Sequence, residues 1–244
     1  MKKINEKVIS KIPWRGRGLD RLTFKIGDVT SLIESKIGQL QTQKILEIGT
    51  GYGQVLIELS NKYGNKLELY GINKEENYVD LEFAKQIAIY KQSIDRSFSP
   101  AENQINFISC DAGISIPFPE NFFDFVFSQV SIAYVSDKMN LLSEVSRVLK
   151  HDGKAVLHSE FEHKGKIKSE QDDWDTLVIY RGDKLISLSD YFESFKNIEY
   201  IHSPRGSIVK INGGCHNKFD TKFMGVEEFL NKNFHGVKSV YLVI

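Results

Sequence analysis

The sequence predicts an α/β fold, in which a doubly wound, mostly parallel sheet has helices on both faces. An apolar run at residues 44–48 ends in a glycine cluster and is followed by apolar residues at helical spacing. Short apolar strand patterns then alternate with amphipathic helical patterns up to residue 161, as in successive βαβ units. The 244 residues suffice for one large domain with additions.

The predicted elements follow one another regularly up to residue 161 and less regularly beyond it. Strands are predicted at 44–48, 67–73, 105–109, 123–129 and 154–161, and helices at 28–40, 55–63, 75–92 and 137–150. Later strands are predicted at 174–180, 198–202, 207–211 and 237–244 (the closing edge strand), and helices at 189–195 and 226–234. Residues 206–225 are predicted to be an insertion or a lid.

Charge and composition are those of an ordinary globular protein. Lysine plus arginine equals aspartate plus glutamate, so no overall positive field would attract nucleic acid, and a small-molecule substrate is favoured. The charge is uneven, because the first 26 residues hold eight basic side chains and two acidic ones. We therefore divide the chain into an N-terminal arm and helix, 1–40, and a main domain, 41–244. The arm is either a flap over a substrate mouth or a solvated segment.

Cysteine usage and hydropathy predict a cytoplasmic protein without a membrane partner. Cys110 and Cys215 are far apart, which is typical of a reducing compartment. The N-terminus lacks the apolar core of a signal peptide, and no apolar run approaches membrane-spanning length. Cys215 and His216 lack partners at zinc spacing, so no metal site is predicted.

The glycine cluster after the first predicted strand indicates a nucleotide-type cofactor site. Gly49, Gly51 and Gly53 allow a ligand to lie against bare backbone, because glycine has no side chain to hold it off. The start of the following helix offers amide groups to a carboxylate or phosphate. Glu47 ends the strand and can accept hydrogen bonds from a positive ligand group or from the loop amides.

Three motifs, in this order, resemble those of the class I S-adenosylmethionine (SAM)-dependent methyltransferases. The first is E-x-G-x-G-x-G at residues 47–53. The second, D-A-G-I-S-I-P-F-P-E-N-F-F-D-F-V-F-S at 111–128, is similar to the D-A-x-x-L-P-F-P-D-x-x-F-D-x-V-x-S string of one subgroup. The third, E-V-S-R-V-L-K-H-D-G at 144–153, is similar to E-x-x-R-V-L-K-P-G-G, with Gly153 expected to end the helix.

The resemblance implies a mostly parallel sheet of seven strands with the last strand reversed, and SAM as the cofactor. It implies that the methionine end of SAM is held by Glu47, Gly49, Thr50, Gly51 and Gly53. It also implies that Asn73 binds the ribose and that Asp111 and Ala112 bind the adenine. Ser128 would then lie beside the sulfonium. The implied reaction is methyl transfer to an O, N or C nucleophile. Its difficult chemistry belongs to the cofactor, so no universal catalytic side chain is required.

Several positions leave alternatives open. Asn73 stands where an acidic residue is usual, so either Asn73 or the nearby Glu75 or Glu76 would meet the ribose. Asp111 has a second interpretation as a turn cap. Tyr134 stands where many relatives carry a histidine, and it is either a pocket residue or a packed aromatic.

His158 is a candidate for the acceptor site or one residue of an ordinary strand face. Two other functions also remain open. One is a SAM-binding regulator or partner subunit without catalysis. The other is a dehydrogenase dependent on nicotinamide adenine dinucleotide. This function is disfavoured because the dinucleotide fingerprint is G-x-G-x-x-G, and after Gly49 and Gly51 its third glycine position is occupied by Gln54.

Overall fold

The computed structural model describes residues 18–37, 42–76, 80–159, 177–182, 184–203, 206–215, 217, 219, 221–225 and 239–243. The predicted arm up to residue 17 and the predicted helix 226–234 lie outside these residues. The chain divides into two compact units, Met1–Cys110 and Asp111–Ile244. Within the described part, no helix is long and apolar enough to cross a membrane.

The first unit alternates helices and parallel strands. Its described elements are α1 (Leu19–Ile26), α2 (Val29–Ile37), β1 (Gln43–Ile48), α3 (Gln54–Tyr63), β2 (Leu67–Asn73), α4 (Leu81–Tyr90) and β3 (Ile105–Ser109). The strand β2 lies between β1 and β3 and is parallel to both. Apolar side chains of β1 and β2 are almost fully buried, as expected for a parallel sheet that is covered on both faces.

In the first unit, capping residues near in sequence predicted some helix starts correctly and not others. The predicted cap of α2 is confirmed, because the Asp28 carboxylate accepts the Ser31 N–H at 2.9 Å. The predicted helix 75–92 is shorter than expected, since Asp80 caps α4 by accepting the Phe83 N–H. Helix α1 was not predicted. Its first amide, that of Leu19, donates to the carboxylate of the distant Glu58 at 2.7 Å.

The second unit supplies further strands and one long helix. Its described elements are β4 (Phe123–Gln129), α5 (Lys138–Val148), β5 (Leu149–Ser159), β6 (Leu177–Arg181), β7 (Lys184–Ile186), α6 (Leu188–Phe192), β8 (Ile198–Ser203), β9 (Gly206–Asn212), β10 (Thr221–Gly225) and β11 (Ser239–Val243). Asp137 caps α5 by accepting the Asn140 N–H. The predicted role of Gly153 in ending this helix is wrong, because α5 ends at Val148 and Gly153 lies within β5.

The predicted fold class is confirmed. Seven strands form one mostly parallel sheet, to which the second unit contributes β4, β5, β9 and β8 in that order. Strands β4 and β5 are parallel, whereas β9 is antiparallel to both β5 and β8. The reversed strand that the resemblance implies is therefore β9. It begins the stretch 206–225 that was predicted as an insertion or a lid.

Four other strands of the second unit form a separate sheet in the order β10, β11, β6, β7. Strand β11 is antiparallel to β10 and parallel to β6, so it has a partner on each side. The prediction of residues 237–244 as a closing edge strand was therefore wrong. Strand identity was evident from the apolar sequence, but the pairing partners come from segments far away in the chain.

Candidate functional site

The glycine loop between β1 and α3 is held in a left-handed backbone conformation. The φ angles of Gly49, Gly51 and Gly53 are 69°, 54° and 72°, values that side-chain-bearing residues rarely adopt. The amides of Gly49 and Thr50 both donate to the carbonyl oxygen of Ile72, at 2.9 and 3.1 Å. The loop is therefore fixed to the carboxyl end of β2.

Glycine is required at position 53 for packing as well as for its dihedral angle. A Cβ atom at Gly53 would lie 2.4 Å from Cζ of Phe107. A Cβ at Gly71, on β2, would lie 2.8 Å from Cδ1 of the same ring. The Phe107 ring thus occupies the space that the two glycines leave open, and it packs against the backbone of Gly53 at the end of the loop. Gly53 was predicted from the spacing of the glycines, whereas Gly71 and Phe107 were not predicted as site residues.

Glu47 places a buried carboxylate at the base of the loop. Its side chain is 4% exposed, and its Oε2 accepts the Thr50 hydroxyl proton at 2.8 Å. Thr50 is itself 6% exposed. Buried carboxylates are costly unless they are hydrogen-bonded, so this residue has a fixed position and few alternative orientations.

Asn73, at the end of β2, lies against the same loop. Its side-chain Nδ2 donates to the carbonyl oxygen of Gly51 at 3.5 Å. Its backbone carbonyl oxygen accepts the Cys110 N–H at 2.8 Å. Glu75 and Glu76 follow in an exposed turn. The first unit therefore brings together Glu47, Gly49, Thr50, Gly51, Gly53 and Asn73, all of which the sequence analysis had named.

A side-chain network that was not predicted anchors the start of α3. Gln54 Nε2 donates to Glu58 Oε1 at 2.7 Å, and Lys91 Nζ donates to Gln54 Oε1 at 2.6 Å. The other oxygen of Glu58 accepts the Leu19 amide of α1. The residue directly after the glycine loop thus links α3 with α1 and α4. Such long-range polar contacts leave no periodic pattern in a sequence.

In the second unit, Asp111 begins a tight turn. Its carboxylate accepts the Gly113 N–H at 2.9 Å, and its carbonyl accepts the amides of Ile114 and Ser115. Asp111 thus caps this turn, as its second interpretation predicted. Ala112 is buried. From α5, the amide group of Asn140 donates to the carbonyls of both Gly113 and Ile114, which fixes the turn to the helix.

The E-x-x-R motif has a structural role. Arg147 donates through Nε and Nη2 to the two oxygens of Glu144, each at 2.7 Å. The same guanidinium donates to the carbonyls of Ile116 and Phe118, at 2.8 and 2.7 Å. Glu144 in turn accepts the Ile116 N–H at 2.7 Å. This pair, which we call the α5 clamp, holds the I-P-F segment of the second motif against the helix.

The clamp predicts a dependence of stability on pH. Hydrogen bonds from Arg147, reinforced by the Ile116 amide, lower the pKa of Glu144 below its usual range, against an opposing effect of burial. A lowered pKa in the folded state contributes stability above the unfolded pKa of about 4.3, and this stability is lost as pH falls below that value.

We therefore expect Glu144→Gln to reduce the loss of unfolding free energy between about pH 6 and pH 3, measured by urea titration at each pH. Glu193→Gln, which alters an exposed carboxylate of the same unit, is the control and should leave that loss unchanged. An identical pH dependence in wild type and Glu144→Gln would contradict the prediction.

The segment after β4 is strained. Ser128 is fully buried, and its hydroxyl is hydrogen-bonded to that of Ser131. Val130 between them has φ 69°, a rare conformation for a β-branched residue. Its N–H donates to the His158 carbonyl at 3.1 Å. Strain of this kind persists only where the surroundings enforce it, and it is concentrated at functional sites.

The two catalytic candidates have very different environments. Tyr134 ends a short 3₁₀ turn, Ser131–Tyr134, and is 61% exposed. His158 is fully buried within β5, where it is opposite Ile208 of β9. Tyr134 is therefore accessible from solvent, whereas the burial of His158 agrees with its interpretation as part of a strand face. Among the described residues, no cluster of histidine, cysteine, aspartate and glutamate is suited to a metal ion.

Comparison with known proteins finds similarity over the residues that contain the glycine loop and the other two motifs. The family model described as a methyltransferase domain matches residues 46–157. A sarcosine/dimethylglycine N-methyltransferase from Halorhodospira halochloris is 28% identical over 46% of this chain and 36% of that protein. A ubiquinone/menaquinone biosynthesis C-methyltransferase from Geobacter sulfurreducens is 30% identical over 47% of this chain and 40% of that protein.

The chain therefore spans less than half the length of these two relatives. Among solved structures, a SAM-dependent methyltransferase from Aquifex aeolicus has 19% identity and a TM-score of 0.49, covering 86% of this chain and 97% of that one. The family match begins within β1 and ends within β5. Residues 46–157 of this chain are thus similar to the methyltransferase domain that the family model describes.

Proposed function

We propose that the chain transfers a methyl group from SAM to an O, N or C nucleophile of a small-molecule acceptor. The observation that carries this proposal is the glycine loop, in which three left-handed residues present bare backbone beside a buried carboxylate. The family match over the same residues supports it.

The residues of the loop fit the methionine end of SAM. Its ammonium group needs an anionic acceptor, and Glu47 offers a buried carboxylate. Its carboxylate needs donors, which amides at the start of α3 provide. Bound SAM supplies a methyl group that its sulfonium makes electrophilic. From the resemblance, Asn73 is assigned to the ribose, Asp111 and Ala112 to the adenine, and Ser128 to the surroundings of the sulfonium.

The contribution of the protein to such a reaction is alignment of the two reactants and exclusion of water. Tyr134, the exposed candidate, is assigned to contact with the acceptor. A general base is needed only for a nucleophile that must lose its proton early in the reaction. The named relatives are an N-methyltransferase of sarcosine and dimethylglycine and a C-methyltransferase of quinone biosynthesis, and the zero net charge of this chain also favours a small acceptor.

We expect Glu47→Gln to weaken binding of S-adenosylhomocysteine, the demethylated product, by roughly tenfold or more, because a charge-assisted hydrogen bond contributes about 1.5–3 kcal/mol. Isothermal titration calorimetry measures this directly. The matched control is Glu68→Gln on the neighbouring strand, where the carboxylate pairs with Lys44 at 3.7 Å. Equal affinities of the two variants would show that Glu47 does not contact the ligand.

Turnover is tested with SAM labelled at its methyl carbon and with sarcosine and dimethylglycine as separate acceptors. Label in a product that depends on both the acceptor and the protein establishes the activity. Tight binding of S-adenosylhomocysteine without turnover of these acceptors or of a metabolite extract would favour the SAM-binding regulator instead. Absence of binding to SAM and to S-adenosylhomocysteine would refute both functions.

A further inference from the structure

Tyr241, in an interior strand of the four-stranded sheet, is bonded to the start of α5. Its side chain is fully buried. Its hydroxyl oxygen accepts the Lys138 N–H at 2.7 Å and donates its own proton toward the Ser136 carbonyl at 3.5 Å. One phenol thus fixes the corner at which the segment after β4 becomes α5.

This bond is unusual for the first turn of a helix. The first amides of a helix have no partner within it and are commonly satisfied by a local cap or by water. Asp137 already provides the local cap for the Asn140 amide. The Lys138 amide is instead satisfied by a residue 103 positions away in sequence. Tyr241 also lies outside the residues matched by the methyltransferase family model.

The corner lies at the end of the segment that carries Tyr134. At its beginning the segment is fixed by the Ser128–Ser131 hydroxyl pair and the left-handed Val130. At its end, the Lys138 ammonium donates to the Val135 carbonyl at 2.8 Å. An exposed tyrosine is therefore mounted on a strained segment that is held at both ends. Strained backbone relaxes when its supports are removed, and Tyr241 is one of these supports.

We propose that Tyr241 is a positioning residue through which the four-stranded sheet sets the orientation of Tyr134 toward the methyl acceptor. This inference rests on the proposed function, because it assumes that Tyr134 contacts the acceptor. Tyr241 itself need not touch either reactant.

The test uses protein labelled with 3-fluorotyrosine and observed by fluorine NMR, with the Tyr134 resonance assigned by its loss in Tyr134→Phe. In Tyr241→Phe we expect the Tyr134 resonance to shift or broaden, and amides of residues 130–138 to exchange with solvent roughly fivefold faster or more. Affinity for S-adenosylhomocysteine should change by less than about twofold, since the glycine loop is untouched.

The control is Tyr200→Phe, which removes a hydroxyl that donates to Ser207 at 3.2 Å within the paired strands β8 and β9. It should leave the Tyr134 resonance and the 130–138 amides unchanged. With any acceptor that turns over, Tyr241→Phe should raise the acceptor KM by roughly fivefold and the SAM KM by less than about twofold.

Two results would overturn the proposal. One is a Tyr134 resonance and an exchange pattern in Tyr241→Phe that coincide with those of wild type. The other, which requires no variant, is a Lys138 amide in wild-type protein that exchanges as fast as an unprotected amide. Failure of wild-type protein to bind S-adenosylhomocysteine would instead refute the proposed function, and the ligand-free NMR comparison distinguishes the two failures.

Discussion

Gly53→Ala is expected to reduce the free energy of unfolding by about 3 kcal/mol. A left-handed conformation costs a non-glycine residue about 1–2 kcal/mol. The new Cβ would also lie 2.4 Å from the Phe107 ring, and overpacking of this kind costs about 1–3 kcal/mol. Urea-induced unfolding measures the loss.

Two further variants separate strain from overpacking. Gly64, at the other end of α3, has φ 56°, but a Cβ added there would have no neighbouring atom within 4 Å, so Gly64→Ala should cost only about 1–2 kcal/mol. The double variant Gly53→Ala, Phe107→Leu should lose less unfolding free energy than the sum of the losses in the two single variants, because the smaller side chain relieves the clash. Equal losses for Gly53→Ala and Gly64→Ala would contradict the assigned role of Phe107.

Arg147→Ala is expected to reduce the free energy of unfolding by about 2–3 kcal/mol, because it removes hydrogen bonds from a charged group to two backbone carbonyls and leaves Glu144 without its ion-pair partner. Arg147→Lys should recover less than half of the loss, since an ammonium cannot reproduce the planar fork of donors. Urea unfolding of the three proteins measures the series.

The control for this series is Arg181→Ala, which alters an exposed arginine of the same unit and should change stability by no more than about 0.5 kcal/mol. A similar small change in Arg147→Ala would show that the E-x-x-R motif does not support the fold. Full rescue by Arg147→Lys would show that charge alone, rather than the geometry of the guanidinium, accounts for the clamp.

Local chemistry explains which parts of the fold could be predicted. The bounds of β3 and β4 were predicted correctly, because apolar runs there are flanked by polar and turn-forming residues. Helix α1 was missed because the carboxylate of Glu58, 39 residues later, satisfies its first amide. The premature helix start at residue 75 followed from apolar spacing, whereas Asp80 supplies the actual cap.

The candidate site shows the same division. Glycines at 49, 51 and 53 were identifiable from their spacing, and all three have positive φ angles. The partnership of Gly71 with Phe107 was not, because it depends on the shape of a cleft between adjacent strands. The bond between Tyr241 and Lys138 was likewise beyond reach, since it joins segments that share no motif or period.

The arrangement of the four-stranded sheet has a consequence for synthesis of the chain. One of its interior strands, β11, is the latest of the four in sequence and connects β10 on one side to β6 on the other. On the ribosome, the earlier strands must therefore emerge with unsatisfied edges and wait for their common partner. Unpaired strand edges favour association between chains, so we expect nascent chains to be most prone to associate before β11 has paired.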